Sequence, residues 1–256
     1  MRFNKRKAQT PFQLGDQAAY SGIQELFDSE IGLPSYNKDL VYKIFDGLRG
    51  PLVFNDGNKK ISVLEFGAGT GTLCEIFRDE FKISPDCVEI DDRLRDVLSA
   101  KGFSVFSNLN ESKKKYSWIY SSNVLEHIED DLNALKSLAE QLEVNGRIAI
   151  YVPALPILFS GLDRSVGHFR RYKKKELIKK VSKSGFEVEY CVYHDCLGVL
   201  ASLVLKVLGY KNKVGLGSRK SFQIYDQIVY PVSKILDSVG MQKIIGKNLL
   251  LVAKKL

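Results

Sequence analysis

The stretch Ile61-Ser62-Val63-Leu64-Glu65-Phe66-Gly67-Ala68-Gly69-Thr70-Gly71-Thr72-Leu73 decides how the rest of the chain is read. An apolar, β-branched run stops at Glu65. Gly67, Gly69 and Gly71 then stand at every second position, and apolar residues at helical spacing (Leu73, Ile76, Phe77) begin immediately after. This pattern predicts a buried strand, a tight turn and a helix start. Glycines in the turn let the backbone take positive φ and let a ligand approach where a Cβ would block it. The first N–H groups of the helix would point toward that ligand.

The glycine register selects the ligand class. A dinucleotide fingerprint G-x-G-x-x-G needs glycine at position 72, where the chain has Thr72, and a Walker A loop needs a lysine that does not follow. The pattern present, E-x-G-x-G-x-G, resembles motif I of the class I S-adenosylmethionine (SAM) methyltransferases. That resemblance implies SAM as cofactor, with Glu65, Gly67, Ala68, Gly69 and Gly71 around it. It also implies a doubly wound, Rossmann-like α/β sheet of seven strands with the last antiparallel.

Downstream segments extend the match. A second strand, about Cys87 to Ile90, ends in Glu89, with Asp91 and Asp92 beyond. A carboxylate at that tip can accept hydrogen bonds from both ribose hydroxyls. Glu89 resembles the ribose-binding acid of the family, with Ile90 beside it. After a short strand (Ser104 to Phe106), Asn108 and Leu109 fall where the family contacts adenine. Strand 4, Ser117 to Tyr120, leads into Ser122-Asn123-Val124-Leu125-Glu126-His127-Ile128. That tail resembles the L-E-H-[IV] segment of small-molecule methyltransferases, including quinone-pathway O-methyltransferases, and the resemblance lays Ser122 and Asn123 along the cofactor. The quinone-pathway resemblance would suggest that His127 with Glu126 holds a divalent metal, but two adjacent residues make a poor site alone, and no metal is assigned.

Beyond strand 5 (Ile148 to Val152), residues 163–172 read D-x-x-x-G-H-F-R-R-Y. This segment resembles a subgroup of class I methyltransferases associated with polysaccharide or lipid-linked glycan assembly. His168 is the first candidate for general base, because an imidazole titrates near neutral pH. Asp163 could orient it, and His127 is the next candidate. Arg170 and Arg171 could grip a phosphate or carboxylate of the substrate, with Tyr172 beside them.

These landmarks predict an N-terminal arm or lid (1–36), a SAM-binding core (37–193), an inserted helical cap (194–247) between the last two strands, and a final core strand (248–256). A helix over 37–48 capped by Asn37 should precede the first strand, after a turn at Asn55-Asp56-Gly57-Asn58. Within the insert, an apolar run lies beside Lys206, Lys211, Lys213, Arg219 and Lys220, so residues 196–220 could touch an anionic membrane surface. A substrate cap or a dimer contact would fit the same pattern.

The 256 residues carry a formal net charge of +8, which favours anionic partners. The basic start of the chain is followed by no apolar run, so no signal peptide is expected. The longest apolar run is too short to span a bilayer. The expected location is cytoplasmic, with peripheral contact at the inner membrane face open. Cys74, Cys87, Cys191 and Cys196 lack both a disulfide framework and metal spacing, and are read as reduced. Nucleic-acid methylation is disfavoured, since the chain lacks a [DNS]-P-P-[YFW] segment after strand 4 and no cysteine follows a proline. The sequence therefore predicts a SAM-dependent methyltransferase acting on a small-molecule or lipid-linked acceptor, most simply at oxygen. A non-catalytic SAM-binding partner protein and an RNA methyltransferase are the alternatives.

Overall fold

The computed structural model describes residues 27–28, 31–50, 61–208 and 219–256. Most of the expected N-terminal lid, the turn at 55–58 and the lysines at 211 and 213 lie outside these residues. Seven strands form one sheet: β1 (Val63–Phe66), β2 (Asp86–Val88), β3 (Val105–Phe106), β4 (Tyr116–Ser122), β5 (Leu142–Pro153), β6 (Phe186–His194) and β7 (Asn248–Lys255). Their order is β3-β2-β1-β4-β5-β7-β6, and β7 runs antiparallel to both neighbours. This is the doubly wound sheet that the class I resemblance predicts.

Helices cover both faces: α1 (Pro34–Arg49), α2 (Thr72–Phe81), α3 (Asp92–Ala100), α4 (Asp131–Gln141), α5 (Gly161–Ser165), α6 (Lys174–Lys183), α7 (Gly198–Leu208), α8 (Arg219–Ile224) and α9 (Tyr230–Ser238). Strand alternation sorts the apolar residues into two layers. Ile148, Ile150 and Val152 face one core with Leu135 and Leu138 of α4 and Leu177 of α6. Ala149 and Tyr151 face the other with Leu40, Ile44 and Leu48 of α1 and Phe77 of α2.

Two local expectations change. α1 starts at Pro34 rather than after Asn37, and its N-cap residue Leu33 offers no side-chain acceptor. Proline suits a first helical turn, where its missing N–H would go unused. The acceptor comes instead from Asp226, whose two oxygens take the N–H groups of Ser35 (3.0 Å) and Tyr36 (2.8 Å). Asp226→Ala should therefore destabilise the fold by about 1–2 kcal/mol, the usual cost of a lost cap. A drop of a few degrees in Tm would register it. The second change is in β5, which begins at Leu142 because Asn145 accepts φ +63° within the strand instead of ending it.

The 194–247 insert is helical, as expected, but it divides its contacts. α7 packs near the turn Pro156–Leu158, where Lys206 Nζ reaches the Ile157 carbonyl. α9 and the preceding π-helical turn Tyr225–Val229 pack on α1, where Tyr230 hydrogen-bonds Asp39 at 2.5 Å.

Candidate active site

In an open α/β sheet, ligands bind beyond the carboxyl ends of the strands where the strand order reverses. Here that point lies between β1 and β4, and the glycine turn after β1 sits on it. Gly67, Gly69 and Gly71 all have positive φ (78°, 56° and 86°). A Cβ on Gly67 would lie 2.3 Å from Val124 Cγ2, so the turn and the segment after β4 fit together only with glycine there.

The loop's amides are used differently from the simple expectation of free donors. The N–H groups of Gly67 and Ala68 both bond to the Val88 carbonyl, and Gly71 N–H bonds to Ala68. Gly69 N–H donates to Glu89 Oε2 at 2.8 Å, and Asp91 N–H donates to Glu89 Oε1 at 3.0 Å. Glu89 is buried, and desolvation raises its pKa against the opposing effect of these amides. A carboxylate offers about four lone-pair positions, so two remain to receive hydroxyl donors. The turn without side chains and this acceptor at the tip of β2 fit an adenosine ribose.

Other predicted cofactor residues take varied places. Asp91 caps α3 and pairs with Arg93, leaving Glu89 as the available acid. Glu65 lies beneath the loop, accepting from Cys74 Sγ (2.7 Å) and Tyr120 OH (2.9 Å). Burial, chiefly, pushes the Cys74 thiol up, and Cys87 Sγ lies 3.2 Å away with both cysteines reduced. Ile90 is 40% exposed beside Glu89. Asn108 caps the short turn Leu109–Glu111, whereas the Leu109 side chain is buried in the core. Ser122 ends β4, and Asn123 stands at φ +54° with its N–H on the Tyr151 carbonyl.

The second half of the site is assembled by the loop after β5. Gly167, at φ +84°, turns the chain so that His168 N–H bonds to the Asp163 carbonyl (2.8 Å) and Phe169 N–H to the Glu126 carbonyl (2.8 Å). This brings His168 against the L-E-H segment: its ring is 4.5 Å from that of His127, edge to face. His168 Nδ1 sits 3.0 Å from Asp163 Oδ1, and its Nε2 is 3.9 Å from Glu126 Oε1. Asp163, at 1% exposure, also receives a two-pronged contact from Arg171 (2.7 and 3.1 Å). Burial opposes ionisation of Asp163, but His168 and Arg171 outweigh it and hold its carboxyl well below the usual range. Glu126 is fully buried, and burial pushes its carboxyl up to about 8. Burial, with the His168 charge next, lowers His127 to about 4.

Sequence alone places Arg170, Arg171 and Tyr172 as a substrate clamp, but the fold gives each an internal partner. Arg171 is committed to Asp163. Arg170 pairs with Asp131 (2.8 Å) and the Glu129 carbonyl. Tyr172, at 1% exposure, donates to Asp131 and to the Leu125 carbonyl. Sequence reasoning ranked Glu126 behind its neighbour, although its buried carboxyl faces both histidines. An acid directly before His127, in the short turn that follows β4, was the available signal.

A sheet of this order with a glycine turn and an acid at the second strand tip defines a class I, Rossmann-like SAM-dependent methyltransferase. A family model described as a methyltransferase domain matches residues 36–190, and the chain belongs to that family. No curated protein matches the sequence. Among solved structures, a SAM-dependent methyltransferase from Archaeoglobus fulgidus is 16% identical, with a TM-score of 0.56 over 85% of this chain and 92% of its own. Geranyl diphosphate methyltransferase, in complex with GPP and sinefungin, is 12% identical, with a TM-score of 0.56 over 85% and 78%. A chain from the Haloferax volcanii complex of the Trm112 methyltransferase activator and a methyltransferase is 11% identical, with a TM-score of 0.60 over 94% and 99%. The cofactor is SAM.

Proposed function

We propose that this enzyme methylates an oxygen of a small-molecule or lipid-linked acceptor, with His168 accepting the acceptor's proton. SAM supplies an electrophilic methyl on a cationic sulfur that becomes neutral as the methyl leaves. The protein's work is therefore alignment and proton removal. The observation that carries the reading is the buried Asp163 on His168 Nδ1. A carboxylate there accepts the Nδ1–H, fixes the tautomer, and leaves Nε2 as the basic nitrogen. His127 faces the same space as a second, weaker base. Arg170 has a side chain 23% exposed and could reach an anionic part of the acceptor, while Arg171 and Tyr172 act as supports. A glycan-assembly acceptor is supported by the 163–172 sequence pattern alone. A small acceptor agrees with the name of the geranyl diphosphate enzyme.

The test combines calorimetry with SAM and S-adenosylhomocysteine and an acceptor screen of lipid-linked sugars, prenyl phosphates and quinols, read as S-adenosylhomocysteine released. Cofactor binding with turnover of one acceptor class is expected. Binding without turnover on any acceptor, RNA included, would instead favour the non-catalytic partner.

Membrane contact through the insert is a second reading with its own support. Leu200, Val204 and Val207 of α7 are 60%, 48% and 82% exposed, and Lys206 lies among them. Ile235 and Val239, in and just after α9, are also exposed, near Lys234 and Lys243. Aliphatic faces edged by lysine suit an anionic interface. Among the described residues no helix is long and apolar enough to cross a membrane. Sedimentation with phosphatidylglycerol vesicles should exceed that with phosphatidylcholine, fall as salt rises, and weaken in Val207→Glu. Equal sedimentation with both lipids would sink the idea.

A further inference from the structure

His168 arrives beside a pair of residues that could not hold an ion by themselves. Glu126, His127 and His168 each offer one ligand atom, and these atoms lie within 4.8 Å of one another. Two properties of the cluster suit a cation. First, Glu126 is fully buried, and neither Oε1 nor Oε2 has a hydrogen-bond partner. Buried carboxylate oxygens are ordinarily satisfied by donors or by a positive charge. Second, the His168 Nε2 to Glu126 Oε1 distance of 3.9 Å is too long for a hydrogen bond. It is nearer the spacing of two donors on one ion, since bonds of about 2.0–2.2 Å at tetrahedral angles set neighbouring donors roughly 3.4 Å apart. That pair would have to close by about half an ångström to share an ion.

The surroundings orient the ligands. His168 Nδ1 is held by Asp163, which Arg171 secures in turn. The His127 ring hydrogen-bonds the Gly167 carbonyl. Carboxylates and carbonyls on the far ring nitrogen are the usual means of aiming a ligating histidine. The Phe169 N–H to Glu126 carbonyl bond ties the two ligand-bearing segments together.

We propose that Glu126, His127 and His168 bind one divalent transition-metal ion, Zn²⁺ by ligand preference. One carboxylate and two imidazoles form the three-ligand set of open zinc sites and are a poor match for Mg²⁺ or Ca²⁺, which favour oxygen. The inference rests on the proposed function's placing the acceptor at this loop and replaces its account of the proton. With the ion bound, an acceptor hydroxyl could take an open position and ionise there, its proton passing to solvent. His168 would then act as ligand instead of base. Both accounts make His168→Ala inactive, so the deciding readout is the metal.

Protein stripped with a chelator would be titrated with Zn²⁺ by calorimetry and with Co²⁺ by visible absorption, and S-adenosylhomocysteine binding would be measured on the same samples. One equivalent of Zn²⁺ should bind at micromolar Kd or tighter, and Co²⁺ should give ligand-field bands. Glu126→Gln and His168→Ala should each weaken binding about 100-fold or more while S-adenosylhomocysteine binding is kept. Folded, S-adenosylhomocysteine-binding wild type that takes up no Zn²⁺ would overturn the proposal. So would Zn²⁺ binding unchanged in both variants, since other groups would then be holding it. Zn²⁺ binding that depends on Glu126 and His168, with no affinity for S-adenosylhomocysteine, would support the metal site and overturn the methyltransferase reading instead.

Discussion

Glu89→Ala should reduce SAM affinity by about 10²–10⁴-fold. Two hydroxyl donors on a carboxylate contribute about 1.5–3 kcal/mol each, and every 1.4 kcal/mol is tenfold in Kd. The loss has a second origin in this chain. Glu89 also receives the amides of Gly69 and Asp91, so its removal loosens the glycine turn that the cofactor must enter. Glu89→Gln separates the two contributions. It keeps an oxygen for one amide and presents an NH₂ group to the other, so it should bind better than the alanine variant and worse than wild type. Calorimetry with S-adenosylhomocysteine reads both. Wild-type affinity in Glu89→Ala would remove this acid from the cofactor site.

His168→Ala should lower kcat by about 10²–10⁴-fold, the usual contribution of a positioned general acid or base. KM for SAM should change little, because His168 bonds to Asp163 while Glu89 bonds to the glycine turn, with no residue shared between the two sets. Asp163→Asn should fall nearly as far for a different reason. An amide at 163 can donate to Nδ1, which would move the ring proton to Nε2 and leave no basic nitrogen facing the site. The cost should appear in kcat and in a shifted pH–rate profile, with S-adenosylhomocysteine binding unchanged. Turnover at the wild-type rate in either variant would place the chemistry elsewhere.

Features set by neighbouring residues were legible in the sequence. The alternating glycines need positive φ within five positions, and Glu89 follows its strand directly, so both could be located from spacing. Features set by distant partners were not. Asn37 is a sound cap by local rules, but Asp226 supplies the acceptor for α1 from 190 residues away. The pairing of Arg170 with Asp131 and of Arg171 with Asp163 could not be read from spacing. His168 and the Glu126-His127 pair each carry an ordinary pattern, and their convergence depends on the turn at Gly167.

The position of β7 has a consequence for biosynthesis. Among the described residues β6 pairs only with β7, and β7 lies between β5 and β6 although it follows both in the chain. While the ribosome still holds β7, β6 has no edge to join and the β5 edge is open to any passing strand. The emerging chain therefore carries an exposed, unfinished sheet until β7 is free, and β7 completes it by insertion between two strands already made.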